Sequence, residues 1–209
     1  MYRLVASLIV LAAAVPAPLP VPAAADCMYL PDVTASSWTL ASPDEGSLWI
    51  LPDGQGPALT EAMAFGGAPL DMSITVTLLD PVGDVMTSFA LDEVWLQDPT
   101  GDVVFCGGEQ PASALVDPPG EYVFTAPPAG GGHHAAGTDA LEIRVCNVPL
   151  YFSPSERLGL NSPDIDGDLQ VDLTDVSLFA TDFYGVYDYR SDFVWDGIIN
   201  LSDVSALAQ

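Results

Sequence analysis

Short runs of alternating apolar and polar residues dominate the first part of the chain. In SITVTLLD (residues 73–80), Ile74, Val76 and Leu78 share one face, which is the period of a half-buried β-strand. Four further runs have the same character and lie at residues 93–97, 102–106, 121–125 and 141–146. The pattern predicts a mostly β domain over residues 26–160, with one helical turn near residues 59–65.

Three similar turn sequences separate these strands, namely DPVGD from Asp80, DPTGD from Asp98 and DPPGE from Asp117. Pro presets the backbone of the second turn position, and Gly relieves the strain of a later one. The spacing leaves room for two strands between turns, which predicts an up-and-down antiparallel arrangement and an immunoglobulin-like β-sandwich. Its core is expected to hold the large aromatic residues Trp38, Trp49, Phe89, Trp95, Phe105 and Phe124.

The N-terminus has the features of a secretory signal. Arg3 precedes an apolar run from Leu4 to Val15, and a Pro/Ala stretch ends at Ala25. A bilayer span needs about 20 apolar residues, so this run is too short to be a membrane anchor. The sequence predicts a signal peptide over residues 1–25, a secreted or cell-surface location, and no membrane span after the signal is removed.

The chain is strongly acidic. It has 29 acidic residues against four basic ones, none of them lysine, and a formal net charge of −25. Nucleic-acid phosphates and anionic membrane surfaces repel such a chain, whereas hard cations such as Ca²⁺ are attracted to it. We therefore expect calcium, and no nucleic acid, among its partners.

Three cysteines, Cys27, Cys106 and Cys146, allow one disulfide and one thiol in an oxidising compartment. Their spacing does not determine the pairing. The strand-like runs around Cys106 and Cys146 favour that pair.

Candidate catalytic chemistry is sparse. The adjacent His133 and His134 lie in a glycine-rich stretch, AGGGHHAAG, which is typical of a solvated loop. Adjacent histidines without a third fixed ligand are weak evidence for a metal site. The sequence contains no motif of a serine hydrolase, zinc protease or nucleotide-binding loop in a strand-to-helix context. We therefore predict that the protein is not an enzyme.

An acidic segment, DIDGDLQVDLTD, begins at Asp164 and has the ligand spacing of a twelve-residue calcium loop. Such loops place side-chain oxygens at positions one, three, five, nine and twelve, and a backbone carbonyl at position seven. In this segment, which we call loop one (residues 164–175), the predicted ligands are Asp164, Asp166, Asp168, Gln170 (backbone), Asp172 and Asp175. Apolar residues at helical spacing follow it, so the pattern is a loop and then a helix.

A second copy follows at a period of 28 residues. In this loop two (residues 192–203) the predicted ligands are Asp192, Asp196, Ile198 (backbone), Asn200 and Asp203. Position three is Val194, which offers no oxygen side chain, so we expect loop one to bind Ca²⁺ more tightly than loop two. Position six, normally Gly, is Leu169 in loop one and Gly197 in loop two. A left-handed leucine is expected to cost roughly 1 kcal/mol.

The paired loop–helix units resemble the type I dockerin module of secreted bacterial proteins. The resemblance covers residues 161–209, which we call the tail. It implies a small α-helical calcium-binding module that attaches to a cohesin-like receptor, in polysaccharide-degrading or cell-surface assemblies. Dockerins contact the receptor through polar residues at loop positions ten and eleven, which here are Leu173, Thr174, Leu201 and Ser202.

The two leucines leave alternatives open. They would suit an apolar groove on a partner, but the short connector over residues 151–163 slightly favours their burial against the β-domain. A different class of function is a carbohydrate-binding or carbohydrate-degrading protein that uses a face of the sandwich. Outward-facing aromatic residues on one sheet would favour that reading, and buried ones would favour attachment.

Overall fold

The structure is a computed structural model that describes residues 27, 29–138, 141–150 and 154–208. The predicted signal, residues 1–25, lies outside the described residues. The described chain is mostly β, with four sheets and two α-helices. Within this part of the chain no helix is long and apolar enough to cross a membrane.

The strands are, in chain order, β1 (Ser37–Leu40), β2 (Gly46–Trp49), β3 (Ala62–Ala64), β4 (Pro69–Leu70), β5 (Ile74–Thr77), β6 (Val94–Gln97), β7 (Val103–Phe105), β8 (Gln110–Pro111), β9 (Ala114–Val116), β10 (Glu121–Phe124), β11 (Gly130–Gly132), β12 (Glu142–Val145), β13 (Val148–Pro149) and β14 (Leu158–Asn161). The helices are α1 (Leu173–Tyr184) and α2 (Leu201–Leu207). Short 3-10 turns lie at Leu59–Glu61, Leu91–Glu93, Pro154–Glu156 and Tyr189–Ser191.

The five strands predicted from alternation are confirmed as β5, β6, β7, β10 and β12. In β5 the alternation follows burial directly, because Ile74 and Val76 are fully buried while Thr75 and Thr77 are only half-buried. The helical turn predicted near residues 59–65 is a single 3-10 turn, and the chain then continues as β3.

The predicted up-and-down strand order is wrong. The sheet orders are β1-β5-β10-β9, β11-β7, β13-β12-β6-β8 and β14-β2-β3-β4, so distant strands pair with one another. All pairs are antiparallel except β14 with β2. Local turn sequences fix where the chain reverses but not which strand it meets, because pairing partners are chosen by long-range burial.

One large apolar core unites the sheets. Its fully buried side chains include Leu48, Ile74, Leu96, Tyr122 and Ile143, which come from five different strands and from both ends of the β-domain. Of the six aromatic residues expected inside, four are buried, whereas Trp38 and Trp49 are half-buried. The prediction of an aromatic core is therefore confirmed for most of the set.

The disulfide joins Cys27 to Cys146, with their Cα atoms 5.9 Å apart. The pairing of Cys106 with Cys146 that their surroundings favoured is therefore wrong. Cys106 follows β7, which pairs with β11 and not with β12, and its thiol donates to the Pro52 carbonyl at 2.9 Å. A shared strand character does not bring two cysteines together when their strands belong to different sheets.

The tail packs closely against the β-domain. Strand β14 runs across the predicted boundary between residues 160 and 161 and pairs with β2. The hydroxyl groups of Ser47 and Tyr189 are hydrogen-bonded at 2.6 Å, and the Gly66 N–H donates to the Trp195 carbonyl at 2.9 Å. The rings of Phe65 and Trp195 meet edge to face, with centroids 5.8 Å apart.

A second, smaller apolar cluster lies under the tail. It consists of the buried side chains Ile165, Phe179 and Phe193, with the half-buried Trp49 packed against it. Phe179 of α1 stacks on Phe193 of loop two with ring centroids 5.8 Å apart. Loop one and loop two therefore each contribute their second residue, Ile165 and Phe193, to one shared core.

Candidate metal centre

The first half of loop one gathers three carboxylates. One oxygen from each of Asp164, Asp166 and Asp168 lies within 4.8 Å of the other two. Calcium binds oxygen ligands at about 2.3–2.6 Å, so ligands on opposite sides of one ion are about 5 Å apart. The three side chains are close enough together to share a single ion, and their hard oxygen donors suit Ca²⁺.

The carboxylate of Asp164 is held from inside its own loop. Its Oδ1 accepts from the N–H groups of Gly167 and Asp168 at 3.0 and 3.2 Å, and its Oδ2 accepts from Leu169 N–H at 2.8 Å. The side chain is fully buried. Its pKa is raised to about 6, first by burial and then by the charges of Asp175 and Asp168, although the amides act in the opposite direction. A cation at this place would offset that repulsion.

Asp175, at position twelve, closes the loop. Its Oδ1 accepts from the N–H groups of Ile165 and Asp166 at 2.6 and 3.3 Å, and its Oδ2 accepts from Asp172 N–H at 2.8 Å. It is almost fully buried and also forms the capping box at the start of α1. One side chain therefore ties the two ends of loop one to the helix that follows.

Asp172 and Gln170 lie on the outer side of the loop and are exposed. Asp172 caps α1 by accepting from Thr174 N–H at 2.6 Å, and this hydrogen bond lowers its pKa. The Gln170 N–H donates to Asp168 Oδ1 at 2.8 Å. Within loop one, neither Asp172 nor Asp175 belongs to the gathered carboxylate group, so a bound ion would have to draw them inward.

Both loops use left-handed backbone at positions four and six. In loop one these are Gly167 (φ +73°) and Leu169 (φ +68°), and in loop two they are Trp195 (φ +47°) and Gly197 (φ +84°). Each loop thus has one glycine and one bulky residue in a conformation that favours glycine. The expected left-handed Leu169 is confirmed, whereas the equivalent strain at Trp195 was not expected from the sequence.

Loop two is built on the same plan but is less open to an ion. Asp192 and Asp203 are fully buried. The Oδ1 of Asp203 accepts from Val194 N–H at 3.1 Å and its Oδ2 from Asn200 N–H at 2.9 Å, which repeats the closure seen in loop one. Burial raises the pKa of Asp203, and the charges of Asp192 and Asp196 add to the effect. Among the described residues, however, its carboxylates are not gathered as those of loop one are.

Two side-chain donors already occupy oxygens of loop two. The Tyr187 hydroxyl donates to Asp192 Oδ2 at 2.9 Å. The Asn200 amide nitrogen points to Asp196 Oδ2 at 3.4 Å and to the Ile198 carbonyl at 3.2 Å, while its Oδ1 caps α2 through Ser202 N–H. A cation would have to displace or share these hydrogen bonds, and the sequence pattern alone did not reveal them.

The four predicted partner-binding residues begin the two helices and are all exposed. Leu173 is 81% exposed and Leu201 is 74% exposed. Thr174 and Ser202 lie beside them, and both are exposed. The favoured burial of the two leucines against the β-domain is therefore wrong. The tail packs on that domain through other residues, including Tyr189 and Trp195.

The histidine pair does not lie in a solvated loop. His134 is only 4% exposed and pairs through its backbone with Leu160. Burial lowers the pKa of both histidines, and a backbone hydrogen bond with Ile165 acts against this at His133. The three glycines before the pair form β11, a strand that the sequence did not predict because glycine has low strand propensity.

In comparisons with protein families, curated proteins and solved structures, no family model, no protein and no structure matched this chain.

Proposed function

We propose that the tail is a dockerin-like calcium module carried on an immunoglobulin-like β-sandwich, in a secreted and non-catalytic protein that attaches to a protein partner. The observation that carries the proposal is the carboxylate group of Asp164, Asp166 and Asp168 inside a loop that is repeated 28 residues later. One acidic turn is common on protein surfaces. The helix caps, closure and left-handed positions that the two loops share support the proposal of paired cation sites.

In this proposal loop one binds Ca²⁺ more tightly than loop two. Loop one would use five carboxylates and the Gln170 carbonyl, whereas loop two offers three carboxylates, the Asn200 amide and the Ile198 carbonyl. Fewer charges weaken a calcium site. The hydrogen bond from Tyr187 to Asp192 acts in the same direction, because it engages a ligand oxygen.

The exposed starts of the helices support attachment as the purpose of the module. Leu173 and Leu201 occupy equivalent positions in the repeat and leave most of their apolar surface in solvent. Each has a hydroxyl neighbour, Thr174 or Ser202, that can hydrogen-bond a partner. We propose a cohesin-like receptor with an apolar groove as that partner, and calcium as the ion that fixes both helices relative to each other.

Calorimetric titration of the full chain with Ca²⁺ tests the cation sites. We expect two resolvable sites, with the tighter one lost in Asp175→Ala and weakened at least tenfold in Asp166→Ala. Asp92→Ala is the matched control, because it removes one exposed carboxylate outside both loops. Equal affinities at the two sites, or a tighter site that survives both loop-one changes, would overturn the assignment.

Attachment is tested separately by immobilising the full chain and comparing retained protein with calcium and with chelator. A partner that is retained only with calcium, and released by Leu173→Ser with Leu201→Ser, supports the proposal. Retention that is the same in chelator contradicts it.

The carbohydrate-binding alternative is less well supported. It calls for several aromatic side chains that face outward on one sheet, and Phe89, Trp95, Phe105 and Phe124 are buried. We therefore propose attachment and not glycan recognition as the principal function.

A further inference from the structure

We propose that the glycine strand β11 holds loop one in place, and that Gly131 is a positioning residue for the Asp164 carboxylate. The calcium affinity of loop one would then depend on the β-domain and not on the tail alone. The inference rests on the proposed calcium function and deepens it.

The contact between the two segments is direct. The N–H of Gly132 donates to the backbone carbonyl of Asp164 at 2.7 Å. A Cβ atom placed on Gly131 would overlap Asp164 Oδ2 and lie 2.5 Å from its Cγ. No side chain fits at residue 131 while Asp164 keeps its present position.

Neither side of this contact is free to move away. Strand β11 pairs with β7, the Gly130 N–H donates to the Leu51 carbonyl at 3.0 Å, and the His133 N–H donates to the Asp102 carbonyl at 2.9 Å. On the other side, three backbone amides of loop one hold the Asp164 carboxylate. A methyl group at residue 131 must therefore displace either the strand or the first calcium ligand.

Loop two rests on different contacts. Its Trp195 carbonyl accepts from Gly66 N–H, and Phe65 packs against the Trp195 ring. A change at Gly131 should consequently alter the two calcium sites unequally. That difference separates positioning of a ligand from a general loss of stability, which would affect both sites.

The first experiment titrates the full chain with Ca²⁺ as the wild type, as Gly131→Ala and as Gly130→Ala. We expect Gly131→Ala to weaken the tighter site at least tenfold and to change the weaker site less than threefold. Gly130→Ala is the matched control, because its Cβ meets the Val104 carbonyl at 2.7 Å and Phe105 within the sheet, and not loop one. It should lower the melting temperature without changing the ratio of the two affinities.

A double-mutant cycle in chelator keeps the inference testable if Gly131→Ala folds poorly. Removing the carboxylate with Asp164→Ala relieves the overlap, since only the Asp164 Cβ then remains, 3.2 Å from the new methyl group. We expect Gly131→Ala to lower the melting temperature several degrees more in the wild-type background than in Asp164→Ala.

The outcomes distinguish the two proposals. The positioning role is overturned if Gly131→Ala keeps the wild-type affinity at the tighter site. It is also overturned if Gly131→Ala lowers the melting temperature equally in the wild-type and Asp164→Ala backgrounds. A wild-type chain that binds no calcium overturns the proposed function itself. In that case the double-mutant cycle still reports whether Gly131 and Asp164 are coupled.

Discussion

The side-chain amide of Asn161 donates a hydrogen bond at 2.9 Å to the backbone carbonyl of Asp192, the first residue of loop two. Both residues are fully buried. Asn161 is also the last residue of β14 and pairs with Trp49 of β2. One side chain therefore connects the sheet, the entry to loop one and the start of loop two.

Replacement of Asn161 by Ala should destabilise the protein by about 1–3 kcal/mol, because the buried Asp192 carbonyl would lose its donor. Chemical denaturation in chelator measures this free energy of unfolding without a contribution from calcium. Gln55→Ala removes an exposed amide and should change the free energy by about 0.5 kcal/mol or less. An Asn161→Ala protein as stable as Gln55→Ala would show that the hydrogen bond is not important for stability.

The structural features that were predicted correctly from the sequence are those that local patterns determine. The alternation around Ile74 and Val76 identified β5 because burial on one face imposes a two-residue period. The acidic spacing after Asp164 likewise identified a loop followed by α1. These features depend on a few consecutive residues.

The disulfide, the burial of His134 and the packing of loop one depend on contacts between residues that are distant in the sequence. Cys27 and Cys146 are separated by 119 positions, and neither flanking sequence specifies the other. His134 is buried because β14 pairs beside it, which its glycine-rich neighbourhood did not indicate. The close approach of Gly131 to Asp164 joins two segments that the sequence separately predicted as a solvated loop and a calcium-binding loop.

Tyr187→Phe should tighten calcium binding at the proposed site of loop two severalfold. The phenol hydroxyl now donates to Asp192 Oδ2, so a bound ion has to compete with that hydrogen bond. Phenylalanine keeps the ring and removes only the donor. The weaker site in a calorimetric titration reports the change.

Tyr184→Phe is the control for that measurement, since Tyr184 is 86% exposed. It should leave both affinities unchanged. Weaker calcium binding in Tyr187→Phe would mean instead that the hydroxyl orients Asp192 for the ion.

Acid should destabilise the protein through the buried His134. Burial lowers the pKa of His134 from its ordinary value of 6.5, although the Ala135 carbonyl and the charges of Asp98 and Asp102 oppose this. Below pH 6.5 the unfolded chain therefore binds a proton at His134, whereas the folded chain binds it only at a lower pH. The contribution to stability is complete above pH 6.5 and is lost as the pH falls towards the folded pKa, by up to about 1.4 kcal/mol per pH unit.

Denaturation curves of the wild type and His134→Leu measure this effect. They are recorded in chelator between pH 7 and pH 5, which is about the range in which histidine titrates. The other titratable groups are present in both proteins, so the difference in slope reports the charge of His134 and its interactions with Asp98, Asp102 and His133. The variant should lose stability less steeply on acidification. Parallel curves would show that His134 does not contribute.

The exposed leucines and the buried phenylalanine of the tail should behave in opposite ways on substitution. Leu173 and Leu201 are mostly exposed, so Leu173→Ser with Leu201→Ser should change the free energy of unfolding by about 0.5 kcal/mol or less per site. Phe193 is 1% exposed and stacks on Phe179. Its replacement by Ala should cost about 3–5 kcal/mol, because it empties the small core beneath both loops.

Denaturation and calcium titration of these variants decide what the leucines are for. If the double serine variant keeps the stability and both affinities of the wild type, the leucine side chains are not needed within the chain and remain available to a partner. If it loses several kcal/mol or one calcium site, the leucines support the helices themselves. That result would remove the apolar contact on which we base the proposed attachment, while leaving the calcium sites to be judged by Asp175→Ala.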